Sequence, residues 1–478
     1  MSAPSKAVPV DRASVGLRSE RGPVLLSLMV AMSVVALDST IIATAVPSVV
    51  ASLGGLSQFP WLFSAYLLAQ AISIPIYGKY ADVIGRKPIV LTGIALFLIG
   101  SIGAGVAWDM TALIVFRAVQ GLGAGAVQPM SMTIVGDLYT LRERAKVQGY
   151  LASVWGMSAV VGPALGGVFS EWVSWRWIFL INIPLCLLAG WMLWARLHEK
   201  VQPRDRKPVD LGGAFLLTIG CGLIVLGLLE GGQSWAWGSP VGIGVFVVGA
   251  VLLVVFGIVE RHAADPVLPL WVIRRPLLVS AGMTSLVLGA VTLGFSSYIP
   301  TFAQTSLGAG PLAAGFALAT LTIGWPIAAS LAGRMYLRLG FRVTALIGAT
   351  IAVIGTGLTL TLDIDASLWH IAAFCFVIGL GLGWVANPTL ISAQNSVGWS
   401  DRGVVTGTNM FARSLGSAIG VAIFGAAANS VLDGRTDGPA VADATWTVLL
   451  LVAIFAVIML VSAFGLPKRA DTVERANA

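Results

Sequence analysis

Three charged side chains, Asp38, Arg117 and Arg413, fall inside long apolar stretches of the sequence, where a charge is hardest to keep. Asp38 sits within Val30–Ile42 and Arg117 within Leu113–Gly121. In a hydrocarbon core a charged side chain costs roughly 2.5–3.5 kcal/mol even on lenient insertion scales, so it is retained where it has a partner or a use. Apolar surroundings drive an acid towards protonation and a neighbouring base drives it towards ionisation, so its proton occupancy can swing with exposure. One acid and one base in this setting point to proton coupling, with Asp38 as the titrating group. A permanent ion pair is the alternative, and Arg117 is divided between coupling and holding Asp38 and backbone carbonyls in place. Arg413 has no acid at comparable depth on its own or the repeat-equivalent span. Hydrogen bonding to carbonyls at a helix break accounts for it at least as well as coupling does.

The elements that must position these charges are membrane spans. The chain of 478 residues is 57% hydrophobic and 11% charged, and its apolar runs recur at about 20 residues, the length that crosses a core about 30 Å thick. The short alternating strands of a β-barrel are absent from the pattern. Bounded by charge, Pro and Gly, the runs predict fourteen spans: 24–50, 60–78, 88–107, 111–136, 147–169, 177–197, 209–229, 240–259, 276–302, 311–333, 343–362, 368–392, 403–430 and 444–466. The first 23 residues are polar and basic without a short apolar core, so the first span itself is expected to direct insertion. Cys186, Cys221 and Cys375 fall inside spans and read as small apolar residues, leaving no disulfide framework or metal cluster.

Twenty-five of the 29 Lys and Arg fall in alternate loops, with Arg176 and Arg435 alone on the other side and Arg117 and Arg413 within spans. The positive-inside rule then places both termini in the cytoplasm. The net charge of +7 is thereby topogenic and does not call for nucleic acid. On this topology Asp38 is fourteen residues past Val24 and Arg117 six residues past Thr111 on the opposite side. At about 1.5 Å per residue in a core of about 30 Å, both lie about 21 Å from the cytoplasmic face.

The sequence also repeats. Gly78–Lys87 and Gly333–Arg342, offset by 255, each carry two glycines seven apart with basic residues beside them. Gly121-Leu-Gly-Ala-Gly125 is echoed by Gly379-Leu-Gly-Leu-Gly383. Two six-span halves of the same order belong to transporters that rock one half against the other. The expected organisation is a bundle over 1–200, a linker and inserted two-span hairpin over 201–262, and a second bundle over 263–478.

Gly78-x3-Asp82-x2-Gly85-Arg86-Lys87 resembles the loop signature of the major facilitator superfamily. Arg117-x2-Gln120-Gly121-x-Gly123-Ala124-Gly125 is similar to the fourth-span motif of its proton-coupled drug exporters, and Gly156-x5-Gly162-Pro163-x2-Gly166-Gly167 to their "antiporter" motif. Leu37-Asp38-Ser39-Thr40 with Pro47, and Trp175–Pro184, resemble signatures of the fourteen-span drug:proton antiporter branch. The resemblance covers essentially the whole chain. It implies an all-α membrane fold of two six-helix bundles plus two inserted helices, and a latch of Gly78, Asp82, Gly85, Arg86 and Lys87. In that latch Asp82 faces the start of the thirteenth span near Gly403, where the helix dipole favours an anion; a solvated loop charge is the plainer reading. Leu337 departs from the pattern by replacing the acid of the second latch. No carboxylate lies in the middle of the later spans, which disfavours dicationic substrates.

In the fifth span Ser158, Gly162, Gly166 and Ser170 follow i, i+4 spacing, so two backbones can approach closely there. Such a seam would seal the path between halves; ordinary tight packing explains the spacing equally well. His198, His262 and His370 lie at span ends, which argues against a histidine relay. Tyr66, Gln70, Gln128, Trp155, Tyr298, Asn387 and Asn409 are candidate lining residues of a large apolar cleft with a few hydrogen-bonding groups; individually each serves packing as readily.

The sequence thus predicts a secondary exporter of hydrophobic or amphipathic compounds driven by inward proton flow, with no cofactor, acting as a monomer in a bacterial cytoplasmic membrane. A dedicated exporter of an endogenous lipid or secondary metabolite shares this machinery. A nutrient symporter is disfavoured by the fifth-span motif, and an enzyme by the lack of a nucleophile–base pair or metal cluster.

Overall fold

The computed structural model describes residues 15–54, 61–199, 210–232, 234–263, 266, 271–432 and 438–468. Most of the linker and the ends of the chain lie outside these residues, as does the Pro163 side chain. The helices are α1 (Gly22–Leu53), α2 (Trp61–Ile84), α3 (Arg86–Gly105), α4 (Met110–Leu138), α5 (Leu141–Val168), α6 (Trp177–Leu180) and α7 (Asn182–Arg196). They continue with α8 (Leu211–Glu230), α9 (Pro240–His262), α10 (Pro276–Thr305), α11 (Pro311–Leu339), α12 (Phe341–Thr359), α13 (Leu368–Asn395), α14 (Arg402–Leu432) and α15 (Gly438–Ala463). Among the described residues thirteen stretches are long and apolar enough to cross a membrane, α6 and α7 together making one of them. The expected seventh span is α8, with a shorter apolar stretch at Gly212–Leu228. No strand occurs among these residues; Gly231 and Trp235 form an isolated bridge.

Polar residues at the span ends start the helices. Asp109 Oδ1 accepts from Ala112 N at 2.7 Å, Thr140 and Glu143 form a reciprocal capping box on α5, and Ser239 caps α9 ahead of Pro240. Each satisfies an amide that helix geometry leaves open, worth about 1 kcal/mol. The start of α3 is capped from elsewhere: Glu199 accepts from the backbone N–H groups of Arg86 and Lys87 at 2.8–3.0 Å.

The repeat reappears in the packing. Helices α1–α7 enclose one apolar core and α10–α15 another. The pairings α2–α4, α3–α4 and α1–α5 return as α11–α13, α12–α13 and α10–α14. Gly85 and Gly340, 255 residues apart, turn the chain between helices at φ 100° and 88°, conformations that residues with a Cβ rarely adopt. Gly123 lies on Gly93 and Phe97 just as Gly381 lies on Gly348 and Ala352. The register is therefore offset by 255 residues for α2 and α3 and by 258 for α4 and α5.

The bundles meet along two seams, α2–α14 and α5–α11. Their closest approaches lie at the end carrying the basic loops. A Cβ on Gly78 would come within 2.6 Å of the Gly403 carbonyl, and one on Gly149 within 3.3 Å of Ser330. Gly333 packs on Ala145, the counterpart of Gly78 on Gly403. Beside the α5–α11 seam lies a cleft of ≈670 Å³ lined by Tyr150, Ser153, Leu331 and Leu337 and by the cations Arg142, Lys146 and Arg334. The other seam is covered. Helix α8 packs on both α2 and α14, with Ala214, Leu217 and Cys221 clustered around Phe411 and Phe256, while α9 packs on α8 and turns its apolar side chains outwards.

The expected role of the Gly162 seam is corrected by these contacts. A Cβ on Gly162 would lie 2.9 Å from Thr40 Cβ and 3.3 Å from Ile41 N, both on α1 of the same bundle. Thr40 Oγ1 also donates to Ser158 O at 3.0 Å. The part of α5 that faces the other bundle is the stripe of Ala145, Gly149 and Gly156, where a Cβ on Gly156 would come within 3.2 Å of Pro326. The motif's i, i+4 spacing identified a close approach but carried no information on which neighbour supplied it. Gly162→Leu is therefore expected to separate α1 from α5 and cost about 1–3 kcal/mol of overpacking, read as a lowered thermal midpoint of purified protein. Gly167→Ala, where nothing lies within 4 Å of the added Cβ, should leave the midpoint unchanged; equal midpoints for both variants would refute the assignment.

Candidate functional site

Asp38 and Arg117 meet inside the first bundle. Arg117 Nη1 donates to Asp38 Oδ2 at 2.6 Å, and each side chain is 1% exposed. A bare carboxylate at this depth would be prohibitively costly, and its second oxygen is also supplied. Asp38 Oδ1 accepts from Gln120 Nε2 and from Asn182 Nδ2, both at 3.3 Å. Ser101 Oγ ties these two amides together, accepting at 2.7 Å and 3.4 Å. Helices α1, α3, α4 and α7 thus converge on one carboxylate, and the break between α6 and α7 puts Asn182 at the start of the second segment.

The guanidinium has further anchors. It donates through Nε to Leu62 O at 3.1 Å and through Nη1 to Gln120 Oε1 at 3.0 Å, and lies 4.3 Å from the centre of the Tyr66 ring. Protonation of Asp38 would therefore leave Arg117 with acceptors of its own. Breaking a buried pair otherwise costs about 3–5 kcal/mol because it leaves a bare charge. This arrangement can hold an ionised carboxylate and can also survive its neutralisation.

A second polar cluster lies at the basic-loop end and bridges the bundles. Asp82 accepts from the backbone amides of Gly403 and Val404 at 2.9 Å and 2.8 Å, at the first turn of α14. Arg86 binds Asp82 at 2.8 Å and Asp137 at 3.0 Å, donates to Trp399 O at 2.6 Å, and stacks 3.9 Å from the Trp399 ring centre. Arg402 reaches back to Asp137 at 3.0 Å and Gly136 O at 2.8 Å. Arg144 donates to Gly136 O and to Asn395 Oδ1, the latter at 2.9 Å. Of the predicted latch residues, Gly78 and Asp82 touch α14 directly and Arg86 completes the network. Gly85 makes the turn, and Lys87 donates to Trp194 O within its own bundle at 2.7 Å.

The candidate lining residues divide. Gln70 donates to Gln128 at 3.3 Å, and both are half-buried. Trp155 and Tyr298 are half-buried against their bundle cores, and Asn387 donates to Ala329 O at 3.4 Å. Tyr66, 3% exposed, is a wall of the ion-pair cluster rather than of an open cleft. Asn409 is consumed by packing between α14 and α10: it accepts from Ser285 Oγ at 3.0 Å and donates to Ala281 O at 3.2 Å. Gly166 lies within α5 and Gly167 faces open space. Arg413 makes no carbonyl hydrogen bond among the described residues; its guanidinium lies 5.1 Å from the Trp325 ring centre.

Ser101, Asp137 and Glu199 were not among the expected residues, and Gln120 and Asn182 stood only within the fourth-span motif and the Trp175–Pro184 stretch. Gln120 stands one helical turn from Arg117, and Asn182 is the polar residue of its apolar run; those were the available signals. Asp137 and Glu199 sit at span ends, where acids are ordinary.

Residues 28–421 match the Major Facilitator Superfamily. The chain belongs to that superfamily. It is 34% identical over 412 residues to Multidrug resistance protein 3 of Bacillus subtilis, covering 86% of this chain and 80% of that one. It is 33% identical over 415 residues to the Multidrug transporter protein MdtP of the same organism, covering 87% and 76%. The crystal structure of the human organic anion transporter MFSD10 superposes with a TM-score of 0.64 at 16% identity, over 91% of this chain and 99% of that one, and so shares its fold. This is a multi-pass membrane protein whose relatives are transporters.

Asp82→Asn would remove the anion from two amides and from Arg86. Hydrogen bonds to charged groups are worth about 1.5–3 kcal/mol, so the equilibrium between closed and open basic ends should move about tenfold or more. Cysteine accessibility from the basic-loop side should rise accordingly, and an unchanged labelling rate would refute the latch.

Proposed function

We propose that this chain is a proton-driven exporter of hydrophobic or amphipathic compounds, an antiporter working by alternating access. The observation that carries the reading is the buried Asp38–Arg117 pair, whose base keeps acceptors when the acid is neutralised. Coupling requires a carboxylate that can take and release a proton without collapsing its surroundings, and this cluster meets that condition. The names of the relatives, a multidrug resistance protein and a multidrug transporter, support export of chemically varied compounds. Alternation of loop charge supports a topology with both termini in the cytoplasm of a bacterial cell.

On that topology the seams close at the cytoplasmic side, and the conformation is outward-facing. Asp82 then stabilises this state through α14, and Arg117 is the base that faces the Asp38 carboxylate. Return to the inward state carries the proton across. The working unit is one chain, and no bound cofactor is required.

The reading is tested in proteoliposomes with an imposed pH gradient. Wild-type protein should accumulate a dye against its gradient and move protons in exchange. Asp38→Asn retains the shape and an oxygen for Arg117, so dye binding should stay within about threefold while uphill transport falls to background. Substrate-driven proton movement undiminished in Asp38→Asn would refute Asp38 as the coupling group.

A further inference from the structure

Arg413 is the charge the preceding account leaves without a purpose. It lies eleven residues into α14, about 17 Å from the basic-loop end at about 1.5 Å per residue. The polar residues one turn to either side are already committed, Asn409 to α10 and Ser417 Oγ to Gly289 O at 3.1 Å. Within helices α10–α15 no acid shares its depth: the only one in them is Asp443, near the opposite end of α15. Among the described residues its guanidinium meets no carboxylate and no carbonyl, only the face of Trp325 on α11 at 5.1 Å. A cation over an indole is held in position, but its hydrogen-bond donors remain unused. The half-buried guanidinium is thus free to meet an anion from outside the protein.

The direction of the side chain shows where that anion would come from. Helix α14 forms one seam with the first bundle and α11 forms the other. A side chain reaching from α14 to α11 therefore crosses the face that the second bundle turns to the first. The repeat agrees: Arg413 corresponds to Trp155 on α5 at an offset of 258, and Trp325 to Gln70 on α2 at 255. Both counterparts are half-buried, as Arg413 and Trp325 are. The equivalent positions thus hold Trp with Gln in one bundle and Arg with Trp in the other, so the paired positions are polar and neutral on one side and cationic on the other.

We propose that Arg413 and Trp325 form an anion-selecting subsite, in which the guanidinium binds the carboxylate, sulfonate or phosphate of an amphipathic substrate while the indole receives its ring system. This deepens the export reading and rests on it for the word substrate. Arg suits the role because its planar fork matches an oxyanion with two parallel hydrogen bonds.

The test is equilibrium binding to purified protein, without any gradient, of dansyl-phenylalanine and its uncharged amide. Wild type should bind the carboxylate about tenfold more tightly, about 1.4 kcal/mol. Arg413→Gln should bring the two affinities within twofold by weakening the carboxylate alone, and Arg413→Lys should keep an intermediate preference. Trp325→Ala should weaken both probes while the preference for the carboxylate remains. Displacement of the carboxylate by dihexanoyl phosphatidylglycerol, and not by dihexanoyl phosphatidylcholine, would also support the subsite, with a lipid headgroup as the anion. A wild type that binds both probes equally, or an Arg413→Gln protein that keeps the preference, overturns it; thermal midpoints identify any variant that fails to fold, and Arg413→Lys then decides. Failure of the export reading looks different: the preference is present in binding, but a pH gradient accumulates neither probe.

Discussion

One buried ion pair, Asp38 with Arg117, sets what the first bundle must do: bring donors to a carboxylate that is 1% exposed. A buried charge is tolerated only when it is paired and hydrogen-bonded. The direct guanidinium contact and two amide donors supply those partners, and supplying them requires α1, α3, α4 and α7 to be held at fixed separations. The small residues explain how. Gly121 and Gly123 bring α4 against α2 and α3, and Gly162 brings α5 against α1. Each close approach shortens the distance a polar side chain must reach. Packing and electrostatics are therefore one requirement here, because a looser bundle would leave the acid without donors.

The two seams use the same backbone geometry with different chemistry. At α2–α14, Gly78 admits Gly403 and a carboxylate then caps the incoming helix. At α5–α11, Gly333 admits Ala145, but Leu337 stands where the first repeat has Asp82. Tyr336, stacked on Phe341 at 5.1 Å, supplies one 3.4 Å hydrogen bond to Leu141 O instead. A charged clasp and a mostly apolar one differ in their response to salt and to protons, since ionic contacts near an interface are screened and apolar contacts are not. The two seams thus share one backbone geometry under unequal chemical control.

Much of this was readable in the sequence because the bilayer imposes strong rules. Apolar run length defined the spans, and the depth estimates for Asp38 and Arg117 agreed because both were measured along helices of known rise. The 255-residue offset could be read from glycines whose backbone angles cannot be met by other residues. What could not be read was azimuth. Spacing shows that Gly162 and Gly166 share a face, but α1 and α11 both lie beside α5, and nothing in a single sequence distinguishes them. The same limit hid Asn409 in a helix–helix contact and Tyr66 behind Arg117, and left Asp137 indistinguishable from any acid at a span end.

The α8–α9 hairpin makes the molecule unequal towards the bilayer as well. It lies across the α2–α14 seam, whereas the α5–α11 seam keeps an open cleft at its basic-loop end. A compound dissolved among the acyl chains therefore meets a roofed flank on one side and an uncovered one on the other. Arg142, Lys146 and Arg334 line the cleft of the uncovered flank, so an amphipathic molecule arriving there would meet three cations beside an apolar wall of Leu331 and Leu337.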